Sequence, residues 1–443
     1  MSKYPLIPAA LAAGSLIFGA NAFAQTTDAN RSPGQVLFDN GVSLSVNYTG
    51  EAATNPSGGI RQSTDYAGQI YFGADFDFAK IAGLDGTSAH VAMTQRHGRN
   101  LASDAIGNNT SVQEIYGTQN LHLAELTVEQ KLFDGRLDVT AGRTVANVAF
   151  LNSPIYCNFQ SNSTCGNPTF IFKDSNFTYF PASSWGGDAK ALLTDKIYLH
   201  AGAYEVNPHD KTSATHGFDF GTDNATGTTI PFELGYETSF ANDSLPRHYQ
   251  IGGWYDDSDY ADPLLDAAGN TALLSGKPYA TNHGRSGGFF RFDQMIWRPD
   301  SASKRGLTLF GIVMTRVSGR VSEERFYELG LLQTGTFAGR DEDTLGFMVN
   351  DQQFSDSTLA GIRAARQSAG GSGSIPKHEV MMELAYGAQV TSAIRFSPNL
   401  QYIINPDQTA EPFRTKNIPD AFVVGFKFTV DLAKIAGLAP PSF

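Results

Sequence analysis

Ala421–Leu432 reads AFVVGFKFTVDL. Phe422, Val424, Phe426, Phe428, Val430 and Leu432 fall on one side of an extended chain. Val423, Gly425, Lys427, Thr429 and Asp431 fall on the other. Side chains in a strand alternate with a period of two, so one face is wholly apolar and the other mostly small or polar. In a soluble sandwich the apolar face would be buried against a second sheet. In a membrane barrel the same face meets lipid while the opposite one meets water. The rest of the chain decides between the two.

Working outward from this stretch, similar alternation recurs from Val42 onward. It predicts strands at Val42–Thr49, Gly68–Phe78, Thr87–His97, Asn120–Leu132, Arg136–Arg143, Trp185–Leu193, Lys196–Val206 and Thr229–Phe240. Further strands are predicted at His248–Asp256, Gly287–Trp297, Gly306–Val317, Arg325–Thr336, Thr344–Phe354, His378–Val390 and Ala393–Ile404, ending with the stretch above. That makes about 16 strands, an even number, as in single-chain bacterial barrels.

The connections discriminate more sharply than the strands. Starting after the second strand, every other link is short: Ala79–Gly86, Phe133–Gly135, Thr194–Asp195, Ala241–Arg247, Arg298–Arg305, Phe337–Asp343 and Thr391–Ser392. The alternate links are mostly long and rich in Gly, Ser, Asn and Asp: Gly50–Ala67, Gly98–Gln119, Thr144–Ser184, Asn207–Thr228, Asp257–Ser286, Ser355–Lys377 and Asn405–Asp420. Only Ser318–Glu324 is brief. A barrel inserted from one side has short periplasmic turns and longer outer loops, whereas a sandwich has no reason to sort loops by parity. The segment Ala79–Leu84 (AKIAGL) is repeated at Ala433–Leu438, after the second and the last strand. Both copies are expected on the periplasmic side, as a short turn or helix at the rim.

Composition agrees with a membrane barrel. The 443 residues include 45 Gly, 31 Phe and 17 Tyr, with only 17% charged. Mean hydropathy is −0.22, and past the N-terminus no uninterrupted apolar run approaches the roughly 18 residues of a spanning helix. Residues 1–24 have the layout of a cleaved export signal: Lys3, an apolar Leu11–Phe18 and Ala22-Phe23-Ala24 before Gln25. The predicted organisation is a signal peptide (1–24), an N-terminal lead (25–41) that is polar and mobile over Thr26–Gly34, one β-barrel domain (42–432) and a periplasmic C-terminal tail (433–443). Ala369–Ser374 (AGGSGS) reads as a loop tip. A net charge of −12 argues against nucleic acid. Two cysteines, Cys157 and Cys165, cannot alone make a tetrahedral zinc site. An oxidising compartment favours a disulfide between them, two reduced bystanders being the alternative.

Several segments resemble the carbohydrate-selective porins, the OprB family of Gram-negative outer membranes. They are Phe180–Asn207 (FPASSWGGDAKALLTDKIYLHAGAYEVN), Gly335–Phe347 (GTFAGRDEDTLGF), Phe396–Pro406 (FSPNLQYIINP) and the two-cysteine segment ahead of Gly166-Asn167-Pro168. The resemblance implies an all-β fold, a sixteen-stranded transmembrane antiparallel barrel. It also implies passage of glucose and related sugars through a constriction lined with arginines and carboxylates. Family members usually stop on the final strand with Phe, whereas here Ala433–Ser442 intervenes before Phe443.

A sugar-selective pore needs planar donors for hydroxyls, acceptors beside them, and aromatic faces for the apolar side of the ring. Arginine keeps its charge and its fork of donors, and here Arg outnumbers Lys 19 to 13. Alternation turns Arg291 and Asp293 inward, away from Phe290 and Phe292. It places Arg96 with His90 and Thr94, Arg395 with Ser397, Asn399 and Gln401, and Glu125 with Thr127 and Glu129. Lys427 points inward on the last strand. Trp254 shares a face with His248, Gln250 and Gly252, as a candidate stacking platform, while Trp185 and Trp297 sit at strand ends, where interface aromatics are expected. A barrel of this width stays open unless something narrows it. The Thr144–Ser184 link is the longest and carries both cysteines, so it is expected to fold into the pore with Arg143 at its root. The expected pore lining is therefore Arg96, Glu125, Arg143, Arg291, Asp293, Arg395 and Trp254. His90, His97, His122 and His200 lack ligand spacing, so no metal and no cofactor is expected. The expected partners are carbohydrates, outer-membrane lipid and lipopolysaccharide, and the barrel assembly machinery, with a homo-oligomer left open. The rival readings are a general diffusion porin, a structural or adhesive barrel, and a barrel hydrolase. No G-x-S-x-G motif supports the last.

Overall fold

The computed structural model describes residues 31–441, apart from 167, 301 and 302. The expected export signal, the first residues of the lead, Asn167 and Phe443 lie outside the described residues. Sixteen strands form one closed antiparallel barrel in which each pairs with its neighbours in sequence and β1 closes on β16. They are β1 (Val42–Ser57), β2 (Thr64–Asp77), β3 (Thr87–Gly98), β4 (Leu121–Leu132), β5 (Leu137–Thr144), β6 (Ser184–Leu192), β7 (Ile197–Val206) and β8 (Gly227–Glu237). The second half comprises β9 (Arg247–Asp266), β10 (Tyr279–Trp297), β11 (Gly306–Ser318), β12 (Glu323–Thr334), β13 (Thr344–Phe354), β14 (His378–Thr391), β15 (Ile394–Ile404) and β16 (Ala421–Asp431). Helices are short: α1 (Pro33–Asp39), α2 (Phe78–Ala82), α3 (Ala146–Ala149), α4 (Phe170–Lys173), α5 (Ala272–Ser275), α6 (Asp356–Ser368) and α7 (Leu432–Ile435).

Alternation is realised as the period-two argument requires. On β10 Phe290 is 46% exposed on the outer face while the next residue, Arg291, is 2% exposed. On β16 Val424 and Phe426 face out, and Val423 and Gly425 are buried inside. Closure pairs Tyr48 with Val430 and Ala52 with Phe426, so the edge strands have no free edge.

Four regions differ from the sequence reading. The links expected at Gly50–Ala67 and Asp257–Ser286 are largely strand, because β1, β2, β9 and β10 run on past the lipid belt. There the outward positions meet water, so hydropathy alternation fades although backbone pairing continues. In the link after β13, Ser355 caps α6 by accepting from the Thr358 amide at 3.2 Å. The AGGSGS tip follows that helix. The lead is also partly ordered: Ser32 caps α1, the Gly34 amide donates to the Gly437 carbonyl at 2.8 Å, and Lys80 reaches the Phe38 carbonyl at 2.8 Å. The two AKIAGL copies enter α2 and α7, and each ends in a left-handed glycine, Gly83 and Gly437.

Candidate functional site

The long β5–β6 connection, residues 145–183, packs against the inner faces of β9–β16. Tyr156 and Phe159 are buried with Phe310, Leu332, Met348, Met381, Ile403 and Val423, all from strands. Phe150, Phe170 and Phe177 are buried with Trp254, Ile312, Met314 and Phe326. Gly346 makes room for this packing, since a Cβ there would stand 2.8 Å from Phe159 Cζ. Polar groups pin the segment as well. The Glu383 carboxylate accepts from the amides of Gln160 at 2.7 Å and Ser161 at 2.9 Å. Asn399 Nδ2 donates to Gln160 Oε1 at 2.7 Å, and Lys173 pairs with Glu323 at 2.7 Å. Cys157 and Cys165 form a disulfide within this segment.

A second connection enters alongside it. Residues 99–120 bury Leu101, Ile106 and Val112 in the same cluster as Phe159. Gln113 donates to the Glu51 carbonyl at 2.9 Å, and the Glu114 amide to the Gln160 carbonyl at 3.0 Å. The sequence reading treated this link as an ordinary outer loop. Its buried apolar residues were the available signal.

The expected lining residues divide into two groups. Arg291 donates to Gln250 Oε1 at 2.6 Å, the Asn152 carbonyl at 2.7 Å and Asp293 at 2.8 Å, so its fork is spent on the wall and the inserted segment. Trp254 is 2% exposed and meets Phe170 edge-on at 6.1 Å; it is a packing residue rather than an open platform. Arg96 is 4% exposed, donates to Gln69 at 2.7 Å and lies over the Phe180 ring. Arg143 is fully buried and does not line an open pore. Its register partners Leu126 and Trp185 lie on the outer face, and its guanidinium joins the Ser183 carbonyl at 2.6 Å to Asp210 at 3.0 Å. Arg96, Arg291 and Trp254 lie on the inward faces, but alternation cannot reveal what covers them; Arg143 shares the outward face of Leu126 and Trp185, so its expected place in the pore lining is not met.

Glu125, Asp293 and Arg395 remain partly accessible. Glu125 accepts from Thr127 at 3.0 Å. Arg395 donates to Gln389 and to Asn158, both at 3.3 Å, which ties it to the residue beside Cys157. The wall of β2–β8 carries further charges that alternation does not group. His90 sits between Asp75 at 2.8 Å and Glu129 at 3.1 Å. His200 sits between Asp188 at 2.9 Å and Glu233 at 3.3 Å, with Phe150 stacked on it at 4.0 Å. Lys131 is exposed and Lys190 half-buried beside them. On the last strand Lys427 pairs with the buried Glu51 at 3.3 Å. No His, Cys, Asp and Glu group among the described residues has metal-binding geometry.

The family model described as "Carbohydrate-selective porin, OprB family" matches residues 61–432. The chain belongs to that family. Porin B of Pseudomonas aeruginosa is 28% identical to this porin over 406 residues, covering 88% of this chain and 87% of that one. Putative porin QuiX of Acinetobacter baylyi is 29% identical over 419 residues, covering 90% of each. The high-pH structure of Pseudomonas putida OprB superposes with a TM-score of 0.79 at 28% identity, covering 89% of this chain and 95% of that one. The porin is thus an outer-membrane protein of the carbohydrate-selective class, and its family and fold are those of channel proteins.

Proposed function

We propose that glucose and related mono- and oligosaccharides diffuse through this porin along the open wall, past the exposed edge of the inserted segment. Glu125 on the open wall and Asp293 on the packed one accept hydroxyls, and Arg395 donates to them. Arg96 and Arg291 hold the segment and orient their neighbours. The carrying observation is that Glu125 on β4, Asp293 on β10 and Arg395 on β15 stay partly accessible inside the barrel while most of the inner face of β9–β16 is packed beneath the inserted segment. A hydrogen bond from a sugar hydroxyl replaces one to water, so each contributes only about 0.5–1.5 kcal/mol net. Weak contacts in series suit a channel, since the solute must leave as readily as it enters. Transport is downhill and the porin performs no chemistry on its cargo.

Single-channel conductance in salt, with and without added glucose, tests this. Block at millimolar glucose is the expected result. Unchanged current up to very high sugar would leave a general diffusion porin for small hydrophilic solutes.

A further inference from the structure

The repeated segment has no part in the sugar path, yet its two copies are built alike. Asp77–Leu84 reads DFAKIAGL and Asp431–Leu438 reads DLAKIAGL, so each copy opens with an Asp and a large apolar residue. The Asp side chain caps the helix that follows: Asp77 accepts from the Ala79 amide at 3.0 Å, and Asp431 from the Lys434 amide at 2.8 Å. The copies flank the same strand, because β2 and β16 are the two neighbours of β1. Pairing of β1 with β16 starts only at Asn47, and α7, which follows β16, packs against β1. Helix α1 joins the copies. Its Gly34 amide donates to the Gly437 carbonyl, and Lys80 Nζ lies 3.6 Å from the centre of the Phe38 ring.

The outer, lipid-facing register runs on into both helices. Phe72 and Phe76 share the outward face of β2, and Phe78 is next in phase. Phe426 and Val430 share the outward face of β16, and Leu432 is next in phase. Residues three apart lie on one side of a helix, so Ile81 follows Phe78 and Ile435 follows Leu432. Ile81 is 45% exposed and Ile435 60%, whereas Ala433, one residue on from Leu432, is 2% exposed. Open apolar side chains in a row mark a surface that something else covers, and the surface they continue is the one that meets lipid.

We propose that the two copies are a pair of interfacial feet, which seat Ile81 and Ile435 at the headgroup–acyl boundary of periplasmic-leaflet phospholipid on either side of the closing strand. A single helical turn is too short to hold its shape or bind lipid alone. Here the barrel supplies both the turn and its position, so little ordering entropy is left to oppose the contact. With α1 joining the feet, the seam where first and last strands meet is held at one depth. The role is independent of sugar passage.

The test is depth-resolved quenching in the full porin, reconstituted into vesicles of phosphatidylethanolamine and phosphatidylglycerol. A thiol-reactive nitrobenzoxadiazole is attached to Ile81→Cys, to Ile435→Cys and, as a control, to Ser372→Cys on the exposed tip between α6 and β14. Phospholipid with a nitroxide at carbon 5 should quench the first two about twofold more than phospholipid with one at carbon 12, because the apolar face of an interfacial helix sits only about 5–10 Å into the boundary. The Ser372→Cys label should respond to neither. If the labels at Ile81→Cys and Ile435→Cys are no more quenched than the control, the rim stands in water or against protein and the feet are overturned. Quenching at only one of them overturns the shared role. Hydroxyl-radical footprinting of the unsubstituted porin in the same vesicles decides if a variant does not insert. Ile81 and Ile435 should be oxidised severalfold more slowly than Leu274, which is exposed on α5; equal rates overturn the proposal.

Discussion

The two halves of the inner wall use the same inward register for opposite purposes. On β10–β16, inward Phe310, Ile312, Met348, Met381 and Val423 are buried beneath the inserted segment. On β2–β6, inward Asp75, Glu125, Lys131 and Lys190 remain wet. A fully buried Phe or Met side chain contributes about 1.5–3 kcal/mol, so the first half is a core that holds the segment in place. The second half gives up that stabilisation and keeps a hydrated surface. Lumen-facing is therefore not one environment, and a substitution should act according to which half it strikes.

The largest effect is expected from Glu383→Ala on the packed half. It strands the Gln160 and Ser161 amides, each at a cost of about 1–3 kcal/mol. The melting temperature in detergent should fall clearly and conductance should rise as the segment loosens. An unchanged melting temperature would mean that this half is not a core. Gly346→Val comes next, because the added side chain collides with Phe159. Overpacking of this kind costs about 1–3 kcal/mol, and noisier, larger single-channel currents should accompany it.

On the open half the pattern should invert. Glu125→Gln should leave stability within about 0.5 kcal/mol while weakening glucose block a few-fold. Loss of stability without loss of block would erase the distinction between the halves. The smallest effect concerns pH. Burial, then the charge of Glu323, pushes the Asp174 carboxyl well above the ordinary carboxylate range, against Arg285 and Lys173. The folded protein therefore keeps this proton to higher pH than the unfolded chain. Stability should decline as pH rises from the unfolded value of about 3.9 through the raised folded one. Asp174→Asn keeps an acceptor for the Ser322 and Glu323 amides and should flatten the decline of melting temperature as pH rises above the unfolded value of about 3.9.

Legibility followed the range of the interaction that each feature depends on. Thr344–Phe354 was read to the residue because lipid on one side and protein or water on the other impose a strict two-residue rhythm. β9 was cut short at Asp256, since beyond it Asp257 and Asp259 replace the outward apolar residues. The inserted segment was anticipated from its length and cysteines. The burial of Arg96, Arg143, Arg291 and Trp254 was not, and neither was the entry of residues 99–120.

Local pattern alone determined a sixteen-stranded cylinder, its in-and-out faces and the sorting of its links, because each of these is set by neighbours along one strand or by its ends. Only the tertiary structure decided which inward side chains are core and which meet water. Gln160 meets Glu383 across 223 positions of chain, and no periodicity within a strand carries information about a contact made at that distance.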